Sequence, residues 1–550
     1  METLAIDIET TPRTPLEPEH VEAIRKIAST RRYGKGDIVL KPGQAMDEFI
    51  YIESGEMEVV NPQTGQRALQ FTTGPGQFLG EIAFLNGGTC TATFRATCDC
   101  EALVAPREEM LDLMARVPEI SDIIVTVFAG RRRRVLEDGK SDLILIGTDE
   151  DRELRILESF AARNRIPIAK FDLSSNEADA ALGSVHLPTD QPAALFAGKA
   201  LIEKTPRAVA RLLGLDLSLK HERTFDTVIV GGGPGGIAAA VYAGAEGLRA
   251  LVIENEVIGG QAGSSSRIEN YMGFPTGISG GDLCWRGQIQ AMRLGTQFIM
   301  PRSVEKVQKL PNEDPGVNGE TGIWGLQLDD SECIRTRSIV VATGVQYRRL
   351  PIDRLESFEG AGVYYSATDI EARFCGGQET IIVGGGNSAG QAAMFLARHT
   401  KHVHILIRQD NLHETMSAYL SSRIQQDPKV TVHPFTEVCE LHGDETLAGV
   451  SVKNGKSGVV TKMNVRGLFI MIGSAPNTGW LDGVVELNDK GFVPTGDAVG
   501  AKSDYETSTP GIYAVGDVRL GSVKRVASSV GEGSVVISHV WQHVNGGETP

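Results

Sequence analysis

Two glycine-rich turns, each wedged between an apolar strand and a helix of small residues, constrain this chain more than any other feature in it. The first is FDTVIVGGGPGGIAAAVYAGAEG, residues 225–247, with Gly231, Gly233 and Gly236 spaced G-x-G-x-x-G. Glycines at that spacing permit a tight turn, and they let a pyrophosphate approach the helix N-terminus, where unpaired N–H groups and the helix dipole favour an anion. The next strand, RALVIE, ends in Glu254. A carboxylate about 20 residues beyond the first glycine is where a ribose hydroxyl is held. The second turn is ETIIVGGGNSAGQAAMFLARH, residues 379–399, with Gly384, Gly386 and Ala389 in the same places. Its following strand, HVHILI, runs into Arg408 with no acid at its end. An arginine there pairs with a 2′-phosphate, which favours NADPH over NADH. Asp410 close by keeps NADH open.

A chain of 550 residues is too long for one hydrophobic core. Residues 1–138 carry short β-type stretches broken by glycines from Gly34 to Gly80, with helical patterns on either side. That pattern predicts a β-roll. Residues 139–218 run strand, helix, strand, proline turn, strand, helix, a small α/β unit. Residues 219–345 and 466–550 make one dinucleotide-binding domain, and residues 346–465, with the second glycine turn, are inserted in it. The expected fold is multidomain: an N-terminal β-roll with flanking helices, a small α/β module, then a two-domain Rossmann-like α/β half.

The net charge of −16 argues against a general nucleic-acid binder, which needs a basic face. The one basic run, Arg131–Arg134, reads as a solvated helix end. No run of about 18 apolar residues is present, so no membrane span is expected. The N-terminus lacks the apolar stretch of a secretory signal. The seven cysteines are scattered and no two form CxxC, which suits reduced thiols and a cytoplasmic setting. No metal site is expected.

Two more patterns complete the first nucleotide site. SIVVATG places Thr343 and Gly344 after an apolar strand, and STPGIYAVGDV does the same with Gly516 and Asp517. An acid at such a strand end can bond a ribityl chain, and the helix beyond it can aim its positive end at a flavin.

In this order, with IGGQAG, SRIENYMGFP and GSAPNT between them, these motifs resemble the low-molecular-weight thioredoxin reductase family from Phe225 to the C-terminus. The resemblance implies FAD held by Gly231, Gly233, Pro234, Gly236, Glu254, Gly260, Gln261, Asn270, Thr343, Gly344, Gly516 and Asp517, near Arg525 and Val526. It implies NAD(P)H held by Gly384, Gly386, Asn387, Ser388 and Arg408. It also implies a homodimer whose inserted domain rotates between two working states. The family's dithiol, CATC, is absent. The aligned segment is GVYYSATD, with Ser366 and Asp369 in place of the cysteines. Neither can act as a thiolate. Asp369 and the nearest thiol, Cys375, are the remaining candidates for a catalytic role.

The N-terminal segment resembles a cyclic-nucleotide-binding domain. PGQFLGEIAFLNGG matches the phosphate cassette, with Gly80 and Glu81 as the expected contacts, but the arginine that holds the cyclic phosphate is replaced by Cys90. The middle segment resembles a thioredoxin or glutaredoxin unit, with TDED where CxxC belongs and Pro192 at the place of that fold's cis-proline. The expected activity is hydride transfer from NAD(P)H to FAD and on to an unidentified acceptor. Ferredoxin, flavodoxin or a thioredoxin-like protein are candidate partners. Electron transfer like that of a ferredoxin or flavodoxin–NADP reductase, a disulfide reductase built on Cys375 or other non-standard cysteines, a cyclic-nucleotide-regulated sensor and a flavin-binding scaffold are the alternatives.

Overall fold

The structure is a computed structural model. It describes residues 14–546 apart from 61–64, 69–71, 91, 138–142, 149, 165, 186–190, 197–198, 214, 218, 220–223, 264, 266–267, 269, 312–321, 366 and 368. It divides into two compact units. One comprises Met1–Gly147, Phe160–Gly344 and Thr478–Pro550; the other comprises Thr148–Ser159 and Val345–Asn477.

In the first unit the N-terminal segment forms the expected β-roll. One three-stranded antiparallel sheet orders Ser29–Tyr33, Cys100–Pro106 and Glu48–Ser54; a second orders Ile38–Leu40, Thr93–Ala96 and Met57–Val60. Helices Pro18–Arg25, Arg107–Arg116 and Pro118–Glu137 flank it. Phe49, Phe78, Phe84 and Phe128 meet ring to ring inside, each fully buried. This core does not close on itself. It runs on through Ile289, Met292 and Phe298 into Ile229, Val252, Val340 and Val536 of the glycine-turn domain. The roll and that domain therefore share one interior.

The middle segment has a four-stranded sheet in the order Lys199–Ala200, Ala193–Phe196, Leu143–Ile146, Ile168–Phe171. Only the last pair is parallel. A helix at Asn176–Ser184, unread in the sequence, lies between the second strand and the proline turn. Among the described residues the one cis peptide bond precedes Pro301, so the bond before Pro192 is not the cis turn expected there.

The glycine-turn domain is built on a five-stranded parallel sheet in the order Gln297–Ile299, Ala250–Ile253, Thr227–Val230, Ile339–Val341, Ile512–Ala514. Its strands are apolar because both faces are covered: Val228, Ile229, Leu251, Val252 and Val340 are fully buried. Helix Val526–Val544 packs along helix Pro234–Ala245, and a Cβ on Gly533 would lie 2.2 Å from the Gly235 carbonyl oxygen.

The second unit repeats the plan. Its parallel sheet orders Val363–Tyr364, Gly467–Ile470, Glu379–Val383, His402–Leu406 and Val430–His433. The strand Gly467–Ile470 pairs with Glu379–Val383, so this domain does not end at residue 465 as the sequence reading has it. A parallel neighbour is chosen by the sheet and leaves no local mark in the chain.

Candidate dinucleotide-binding sites

At the first turn, Gly231 has φ +108°, and a Cβ there would lie 2.3 Å from the Ala342 carbonyl oxygen. A Cβ on Gly236 would lie 1.9 Å from the Gly231 carbonyl oxygen. No side chain other than hydrogen fits at either place. Gly233 caps helix Pro234–Ala245 without any side-chain hydrogen bond, and the space beside its Cα is open. The first turn of this helix thus offers N–H donors to an open cradle.

Glu254 lies beneath that cradle, buried. Its carboxylate accepts from the Gly232 N–H (2.7 Å) and the Glu256 N–H (2.9 Å). Burial pushes its pKa up, against the pull of those amides. The loop carrying Gly260 closes beside it, the Gly259 N–H donating to the Gly232 carbonyl at 2.7 Å. Thr343 and Gly344 follow strand Ile339–Val341, next to the strand that leads into Gly231. Asp517 lies in a 3-10 turn, Gly516–Val518, beyond the neighbouring strand Ile512–Ala514. It is partly buried, and burial raises its pKa. Arg525 caps helix Val526–Val544 with no side-chain bond. Gln261 and Asn270 are exposed. The backbone thus gathers the predicted glycines, Pro234, Glu254, Thr343 and the Asp517 turn around two helix N-termini.

One residue was missed. Glu532, buried in helix Val526–Val544, accepts from the Gly516 N–H at 2.6 Å. Its signal was a lone acid between two glycines in a helix that otherwise carries no acid.

The second turn repeats the first. Gly384 has φ +139°, and a Cβ there would lie 2.2 Å from the Met471 carbonyl oxygen. Gly386 caps helix Asn387–Leu396 with open space beside it and no side-chain bond. Ser388 and Arg408 are exposed. Asn387 turns sideways, its Oδ1 accepting from the Ser417 N–H at 2.8 Å. Beyond Arg408, His413 has Nδ1 3.0 Å from Ser421 Oγ and Nε2 3.3 Å from Gln425 Nε2.

Ser366 lies outside the described residues, and Asp369 begins helix Asp369–Phe374. Cys375 is wholly buried, and a Cβ on Gly467 would lie 2.5 Å from its Sγ. Burial, helped by Glu371, pushes the thiol up to about 12. Its Sγ is thus enclosed by its own domain and is not presented to a disulfide partner. All seven cysteines are free.

In the β-roll, Cys90 is buried, donates to the Ala92 carbonyl at 3.1 Å, and has its thiol pushed up to about 12 by desolvation. It offers a phosphate nothing. Arg95 pairs with Glu58 at 2.6 Å. Arg131 is not the solvated helix end the sequence suggests. Its guanidinium donates to the carbonyls of Gly80 and Phe78, both at 2.7 Å, and lies over the Phe78 ring. Desolvation pulls it down to about 10, with Glu81 opposing. The cassette backbone is thus held from inside by this chain's own cation.

Residues 225–533 match the pyridine nucleotide-disulphide oxidoreductase model. The chain belongs to that family. It is a thioredoxin reductase-like, FAD-dependent NAD(P)H oxidoreductase. Residues 30–117 match the cyclic nucleotide-binding domain, so the oxidoreductase carries that domain ahead of its catalytic half. A thioredoxin reductase of Streptomyces coelicolor is 32% identical over 309 residues, 56% of this chain and 90% of that protein. NADPH-dependent thioredoxin reductase 3 of Arabidopsis thaliana is 31% identical over 317 residues, 56% of each chain. The crystal structure of Lactococcus lactis thioredoxin reductase in its FR conformation aligns at a TM-score of 0.51 and 29% identity, over 59% of this chain and all of that one.

Proposed function

We propose that this oxidoreductase takes reducing equivalents from NADPH at the second glycine turn, holds FAD at the first, and delivers electrons to an acceptor outside the chain with no dithiol of its own. The observation that carries the reading is the pairing of two glycine cradles with a dithiol position that reads Ser366 and Asp369 and whose nearest thiol, Cys375, is buried. Bound FAD would accept a hydride equivalent from the nicotinamide and pass electrons onward.

The chain's own part is binding and placement. The amides at the start of helix Pro234–Ala245 suit the pyrophosphate, with Gly231, Gly233, Pro234 and Gly236 leaving room for it. Glu254 suits the ribose. Gly260, Gln261, Asn270, Thr343, Gly344 and Gly516 complete the flavin set, and Asp517 suits the ribityl chain. The uncapped amides after Arg525, from Val526 on, offer positive potential. Gly384, Gly386, Asn387 and Ser388 serve the nicotinamide nucleotide. Arg408 serves its 2′-phosphate, in line with the Arabidopsis relative's name. NADH fits the same turn less well. Asp369 has no assigned role.

The acceptor class that suits a chain without the dithiol is a redox protein such as ferredoxin or flavodoxin, or a small molecule. Residues 139–218 serve as a thioredoxin-like module without CxxC. A homodimer in a reducing compartment, the cytoplasm, fits seven free thiols. The test is anaerobic addition of NADPH, then NADH, to the FAD-loaded full chain, followed by candidate acceptors. The expected result is flavin bleaching by NADPH, re-oxidation by an electron carrier or quinone, and no turnover with thioredoxin. Thioredoxin reduction at rates like those of dithiol enzymes overturns it, as does a flavin that neither nucleotide bleaches.

A further inference from the structure

Glu532 makes every contact a carboxylate can make and takes no part in the family motifs. Its Oε2 accepts from the Gly516 N–H (2.6 Å) and from Arg519 Nε (3.3 Å). Its Oε1 accepts from Arg519 Nη2 (2.6 Å) and Ser522 Oγ (3.2 Å). It is 7% exposed. The turn it grips needs a grip. Gly516 has φ +74°, the cap of the turn at Val515 makes no side-chain bond, and Asp517 follows directly. A buried carboxylate with two charge-assisted partners is a strong anchor, and it is costly to break because the cation and the amide are left behind.

The next residue on the same helix turn is Gly533, whose Cα faces the Gly235 carbonyl so closely that a Cβ would lie 2.2 Å from it. Gly235 belongs to the first turn of helix Pro234–Ala245. One helical step therefore joins both halves of the flavin cradle. Gly533 seats the helix whose first turn would take the pyrophosphate, and Glu532 holds the turn that carries Asp517.

We infer that Glu532 is the positioning residue of the flavin site, setting the Gly516–Asp517 turn against the first turn of the glycine helix and thereby setting FAD affinity. The inference rests on the flavin reading above. Glu532 itself is enclosed by Arg519, Ser522 and the Gly516 amide, so it acts through Asp517.

The test uses the full chain stripped of FAD and titrated with FAD by flavin fluorescence, for wild type, Glu532→Gln, Glu532→Ala, Asp517→Asn and the double variant Glu532→Gln/Asp517→Asn. The isosteric Glu532→Gln keeps an acceptor for Gly516 but loses the charge that Arg519 requires. It is expected to weaken FAD about tenfold or more, and Glu532→Ala further. The shift in thermal midpoint on adding FAD should shrink in both, because the loss falls on the FAD-bound state. A residue acting through Asp517 gives a double variant whose loss is smaller than the sum of the singles. Wild-type affinity in both Glu532 variants overturns the inference, and so does full additivity with Asp517→Asn. A wild-type chain that takes up no FAD overturns the flavin reading and this inference with it.

Discussion

The side-chain amide of Asn86 is doubly bonded to the backbone of Phe298. Its Nδ2 donates to the Phe298 carbonyl at 3.0 Å, and its Oδ1 accepts from the Phe298 N–H at 2.9 Å. Phe298 lies on Gln297–Ile299, the edge strand of the parallel sheet, so Asn86 from the β-roll supplies the pairing that a further strand would give. Both residues are buried. An edge with its N–H and C=O groups covered is protected from pairing with another chain.

Asn86→Ala leaves two buried backbone groups without partners, at about 1–3 kcal/mol each. We expect the variant to be destabilised by about 2–6 kcal/mol on denaturant unfolding, and Asn86→Asp to be at least as damaging because a carboxylate cannot donate to the carbonyl. Removing residues 1–138 should yield insoluble protein, because the shared core at Ile289, Met292 and Phe298 would lie open.

The two glycine turns give separable losses. Gly236→Ala places a methyl 1.9 Å from the Gly231 carbonyl, and Gly384→Ala places one 2.2 Å from the Met471 carbonyl at φ +139°. Gly236→Ala is expected to abolish FAD retention. Gly384→Ala should keep its yellow colour yet lose reduction by NADPH, read as anaerobic bleaching. Equal loss of flavin in both variants would contradict the division of labour between the two turns.

These turns were legible from sequence because a positive φ and a close backbone approach admit glycine alone, which marks the chain locally. Glu254 was legible for a related reason: its spacing from Gly231 is set by one helix and one strand. Of the features that escaped, one has a weak local pattern and two are set by distant parts of the chain. The helix Asn176–Ser184, NEADAALGS, has no apolar stripe strong enough to announce itself. Gly467–Ile470 is apolar enough for either sheet, and its partner Glu379–Val383 lies far upstream. Arg131 reads as one of four solvated arginines until the fold brings the carbonyls of Phe78 and Gly80 beneath it.

The histidines of the second sheet predict an acid sensitivity. His404 Nδ1 lies 3.0 Å from His433 Nε2, its Nε2 lies 3.3 Å from Glu379 Oε2, and the His402 ring lies tilted beside it, centroids 4.8 Å apart. Burial lowers the pKa of both His404 and His433; Glu379 offsets part of the effect at His404, and neighbouring histidine charge adds to it. A depressed pKa means the unfolded chain binds protons first as pH falls. The stabilisation is present above the ordinary histidine value of about 6.5 and is lost as pH falls through the lower folded values. The thermal midpoint should drop between neutral pH and pH 5 (about one and a half units below that value), and the slope should flatten in a His404→Asn/His433→Asn variant. An unchanged slope would place the acid sensitivity elsewhere.

Thiol reactivity separates a buried Cys375 from a working one. Cys98, Cys333 and Cys439 are exposed, whereas Cys90, Cys100, Cys284 and Cys375 are buried. A chromogenic disulfide reagent at neutral pH should therefore modify only the three exposed thiols in the folded protein, with the other four appearing on denaturation. Cys375→Ser should leave acceptor turnover unchanged. It should cost stability, because the hydroxyl enters an apolar cluster with Ile382, Ala393 and Phe469.

The β-roll gives the last prediction. A cyclic nucleotide needs a cation at its phosphate, and the position that would carry one is Cys90, buried and neutral. Two other arginines near the cassette are already bound to its backbone: Arg131 to Phe78 and Gly80, and Arg107 to Phe84 at 2.6 Å and Leu85 at 2.5 Å. Freeing either one would strip carbonyls of charge-assisted bonds worth about 1.5–3 kcal/mol each. Cyclic AMP and cyclic GMP should therefore leave both the thermal midpoint and NADPH oxidation unmoved. Arg131→Met should instead lower the midpoint in their absence, since its side chain fills the space over Phe78 and Phe128 but donates nothing. A clear midpoint rise with cyclic AMP in the wild type, lost in Arg131→Met, would show that Arg131 leaves the carbonyls to take the phosphate.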